Sequence, residues 1–178
     1  MDRHPRQASV VPFARRWHVI HEIDLIRLMQ AHRHRLALAA QAEAIADGLP
    51  NRPTEPMMTA FLIALQELVT KGERADGDGL EAMLLNRHED PLTWTLIDHV
   101  HHRHRADRAA ASELIAAFDE ADAFVAPETL GHMLRSFFTG CRRAVDFEEL
   151  TLIALAGHRL TSEARALLVD ALTESVAA

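Results

Sequence analysis

The sequence predicts an all-α protein: an antiparallel up-down four-helix bundle made of two repeated helical hairpins, with a short helix at the C-terminus. Three observations carry this expectation. Apolar residues recur at intervals of three, four and seven over most of the chain, which is the signature of one buried helix face. No segment alternates apolar and polar residues for long enough to make a strand. A tetrapeptide occurs twice, His32-Arg33-His34-Arg35 and His102-Arg103-His104-Arg105, and the likeness extends beyond it at the same offset of seventy. That offset pairs Glu43 with Glu113, Ile45 with Ile115, Asp78 with Glu148, Leu80 with Leu150 and His88 with His158.

Taken in order, residues 1–12 are polar, contain Pro5 and Pro12, and are expected to form a mobile N-terminal arm. Residues 13–178 are expected to form the bundle, one domain on length. The first helix is predicted from about Arg15, with Leu25, Leu28, Met29, Leu36 and Ala39 on one face, and it stops near Gly48-Leu49-Pro50. At about 100° per residue, His32 lies within about 60° of that stripe, whereas His34 points about 200° away.

Pro50, Pro53 and Pro56 mark a turn, after which Phe61, Leu62, Leu65, Leu68 and Val69 predict a second helix. Its continuation is weak between Gly72 and Gly79, because each glycine costs about 1 kcal/mol against alanine in a helix interior. The pattern resumes at Leu80, Met83, Leu84 and Leu85. Asp90-Pro91 is a cap followed by a proline at the first helical position, opening a third helix that runs to about Phe118. Its run His99-Val100-His101-His102-Arg103-His104 is too dense for spacing to select one histidine, and the repeat selects His102. Pro127 opens a fourth helix, striped by Leu130, Leu134, Phe137, Cys141, Leu150 and Leu152, that runs to Gly157. Thr161 or Ser162 caps a last helix expected to end around Leu172.

Composition excludes several classes of function. The net charge of -7 leaves no basic face for phosphate contacts, so no nucleic acid partner is expected. No apolar run approaches the length of a membrane span, and a single cysteine, Cys141, fits a reducing compartment; a cytoplasmic protein is the expectation. Twelve histidines and no tyrosine direct attention to imidazole chemistry. There is no phosphate-binding glycine loop, calcium loop or nucleophile elbow.

The stretch Ala144-Val145-Asp146-Phe147-Glu148-Glu149-Leu150-Thr151-Leu152-Ile153-Ala154-Leu155-Ala156 resembles the fourth helix of the hemerythrin family of HHE cation-binding domains. The likeness covers roughly residues 25–160. It implies a bundle that holds iron, zinc or manganese and serves as a sensor or binder of O2, NO or redox state rather than as a turnover enzyme. Carried over position by position, it implies the metal ligands His32, Asp78, His102 and Glu148. Two of the family's histidine positions are occupied instead by Arg74 and Ala144, so the ligand set is reduced. Two imidazoles and two carboxylates still suffice for one metal with open positions. The alternative is a metal-free bundle, a protein-interaction or regulatory module, in which Arg74 faces Asp78 and Glu148 and replaces the metal's charge.

Overall fold

The computed structural model describes residues 20, 22–75, 80–84, 91–119 and 125–177. The chain is all-α: α1 (Glu22–Gly48), α2 (Glu55–Ala75), a short α3 (Leu80–Leu84), α4 (Pro91–Asp119), α5 (Pro127–Ala156) and α6 (Ser162–Ala177), with a 3-10 turn at Gly157–Arg159 between the last two. Among the described residues the only extended pairing is a single bridge between Ile20 and Leu160. Among the described residues no helix is long and apolar enough to cross a membrane.

The four long helices form a bundle. α5 packs against α1 and α4, α2 packs against α4, and α1 meets α2. α1 and α5 run antiparallel, since Ile20 bonds to Arg159, His32 meets Glu148 and Glu43 meets Arg142.

The buried positions explain why these helices assemble. On α1, Leu25, Leu28, His32, Ala39, Ala42 and Ala46 are buried, with the half-buried Arg35 completing the series. On α4 the corresponding series is Ile97, Val100, the half-buried His104, Asp107, Ala111 and Leu114, and on α5 it is Leu134, Phe137, Cys141, Ala144, Glu148 and Thr151. Each alternates steps of three and four, the seam that lets side chains of one helix fill gaps in its neighbour.

The core is divided in two. One apolar cluster gathers Leu25, Leu28, Leu80, Met83, Ile97, Val100, Leu152 and residues of α6. The other gathers Leu38, Ala42, Ile45, Phe61, Leu65, Leu114, Leu134, Phe137 and Cys141. Between them the seam positions are polar: His32, Arg35, His104, Asp107 and Glu148. The bundle therefore carries a charged layer across its middle.

The ends are closed locally. Pro127 starts α5 without a side-chain cap, because proline already supplies the first helical φ and lacks an amide to satisfy. Thr161 caps α6: its hydroxyl accepts from the Ala164 amide and donates to Glu22 of α1. α6 extends past the expected end near Leu172 to Ala177, since no glycine or proline stops it. The start expected near Arg15, the N-terminal arm, the break at 76–79 and His88 lie outside the described residues.

Candidate functional site

The polar layer is one connected network. His32, 3% exposed, sits between two carboxylates. Its Nδ1 is 3.1 Å from Glu149 Oε1 and its Nε2 is 3.1 Å from Glu148 Oε2. Glu148, also 3% exposed, receives on its other oxygen the Arg35 Nη1 at 2.7 Å and the His104 Nε2 at 2.6 Å. His104 Nε2 lies 3.1 Å from Arg35 Nη2. Residues of α1, α4 and α5 thus meet at one glutamate.

Proton positions follow from the donor inventory. Ionised carboxylates only accept, so both His32 nitrogens donate and the ring is an imidazolium. His104 donates from Nε2 to Glu148, so that nitrogen does not accept from Arg35; the two are neighbouring donors on one oxygen.

The electrostatics agree with this assignment. Burial alone would lower the His32 pKa, but hydrogen bonds to Glu148 and Glu149 outweigh it and the net shift is upward. Burial likewise disfavours the Glu148 carboxylate, yet the hydrogen bonds from His104 and His32 and the charge of Arg35 hold its pKa far below the usual range.

Asp107 borders the layer, one turn beyond His104, and is 8% exposed. Its Oδ2 has no hydrogen-bond partner among the described residues. Burial raises its pKa, opposed by the charges of Arg35, His104 and Arg103. Space beside it is reserved by Gly140, where an added Cβ would come within 3.3 Å of Asp107 Oδ1. Cys141, on the same stretch of α5, is buried, and burial pushes its thiol up to about 12; a neutral thiol of that kind is core, not nucleophile.

Of the four expected ligands, His32 and Glu148 are brought together. His102 is not: it lies exposed on α4, and His104, which the repeat pairs with the outward His34, takes the inward position. The correction has a simple cause. The sequence repeat has an offset of seventy, but the packing seams correspond at seventy-two, pairing Leu25 with Ile97, Leu28 with Val100 and His32 with His104. A helix turns about 200° in two residues, so the repeat selects the wrong side. Asp78 lies outside the described residues, as does the side chain of Arg74. Among the described residues the arginine that reaches Glu148 is Arg35, from α1. Glu43, matched by the repeat to Glu113, pairs with Arg142 through both oxygens, at 3.1 and 2.5 Å.

Sequence reasoning missed Arg35, His104 and Glu149. A signal existed for Arg35, which stands three residues after His32 and so shares its face. For His104 the signal was the three-four alternation counted back from Leu114 and Ala111.

Among the described residues the donor set does not fit a metal as it stands. A metal-bound histidine must be neutral, and His32 spends both nitrogens as donors. The Arg35 guanidinium lies against the Glu148 oxygen that a cation would need. Among the described residues no group of three or more His, Cys, Asp or Glu side chains is arranged to hold a metal ion. No family model matches the chain, and no curated protein or solved structure matches it significantly.

Proposed function

We propose that this chain is a metal-free helical bundle of hemerythrin-like design, acting as a regulatory or protein-interaction module, in which Arg35 and the His32 imidazolium supply the positive charge that a metal would bring. The observation that supports this reading is the 2.7 Å bond from Arg35 Nη1 to Glu148, with His104 beside it on the same oxygen and His32 on the other. Buried carboxylates are costly unless paired and hydrogen-bonded, and here two fixed cations meet that need. The role sketched for Arg74 passes to Arg35.

The competing reading is a metal-binding sensor or small-ligand binder. It draws on the approach of two imidazole Nε2 atoms to the two oxygens of Glu148. It requires His32 to lose a proton and Arg35 to withdraw.

Elemental analysis of protein purified without a tag separates the two. The expected result is less than about a tenth of an equivalent of iron, zinc or manganese, even after reconstitution, and a melting temperature indifferent to chelator. A stoichiometric metal together with a large chelator-induced drop in melting temperature would overturn the proposal.

A further inference from the structure

We draw no further inference here: the strongest candidate, the side-chain cluster between α4 and α5 in which the buried Asp107 carboxylate and Arg103 lie against Gly140, carries nothing, because the Asp107 Oδ2 and Arg103 Nε atoms that lack hydrogen-bond partners among the described residues are both sealed from solvent, which leaves no room for a ligand to reach either.

Discussion

At the scale of single residues, Glu148 is the pivot. It accepts from His32, Arg35 and His104, three donors on two oxygens. Removing one donor leaves charge buried without its partner, a loss of about 3–5 kcal/mol where the pair is fully enclosed. Arg35 is about 15% exposed at its side chain, so Arg35→Ala is expected to cost somewhat less, about 2–4 kcal/mol in urea unfolding. His104→Ala is expected to cost about 1–3 kcal/mol and His102→Ala no more than about 0.5 kcal/mol. Equal effects from the two histidines would contradict the assignment of the seam.

The pH dependence follows from the same groups. The pKa of His32 is raised on folding, so its contribution is complete below the usual 6.5 and is lost as pH climbs through the raised value. The pKa of Glu148 is lowered, so its contribution is complete above the usual 4.5 and is lost as pH falls through the depressed value. The raised pKa of Asp107 adds a further loss as pH rises from the usual 3.8. Stability is therefore expected to be greatest between about 4.5 and 6.5, and to decline towards pH 9 in thermal melts. A melting temperature that keeps rising from pH 6 to 9 would contradict the imidazolium at position 32.

At the scale of elements, α1, α4 and α5 form because their seams alternate in steps of three and four, and the same arithmetic brings the polar residues to one level. Gly140 is part of this level: with no side chain it leaves room for the Asp107 carboxylate and offers its carbonyl to Arg103 Nη2 at 3.4 Å. α6 depends on a local device, the Thr161 cap, whose hydroxyl also reaches α1. Thr161→Ala is expected to cost about 1 kcal/mol. Amide hydrogen exchange should locate the lost protection in the first turn of α6 and leave α4 unchanged; a uniform loss over the bundle would argue against a local cap.

At the scale of the whole molecule, a charged layer separates two apolar clusters. Replacing a buried ionic network by well-packed apolar residues is often neutral or stabilising. A combined His32→Leu, Arg35→Met, His104→Leu and Glu148→Leu variant is therefore expected to remain helical by circular dichroism and to melt no lower than the parent. It is also expected to lose most of the stability change between pH 6 and 9. Collapse of this variant would show that the network is needed for the fold rather than carried by it.

The helical class, the four long elements and their punctuation at Pro50, Pro91, Pro127 and Gly157 were legible in the sequence, because periodicity and breaker residues act over a few positions. His32 was legible for the same reason, since it lies on an apolar stripe that excludes water, whereas Glu148 was reached through the repeat and the family resemblance. Which histidine of α4 joins them was not legible, because the sequence repeat and the packing seam differ by two residues and only contact between helices chooses between them. Nor was the reach of Arg35 to Glu148, since an arginine is long enough to reach several partners and its charge is directed by what surrounds it. Local chemistry decided where the chain turns and which faces seek the interior. The approach of three helices decided which charges meet there, because burial makes an unmatched charge too costly to leave in place.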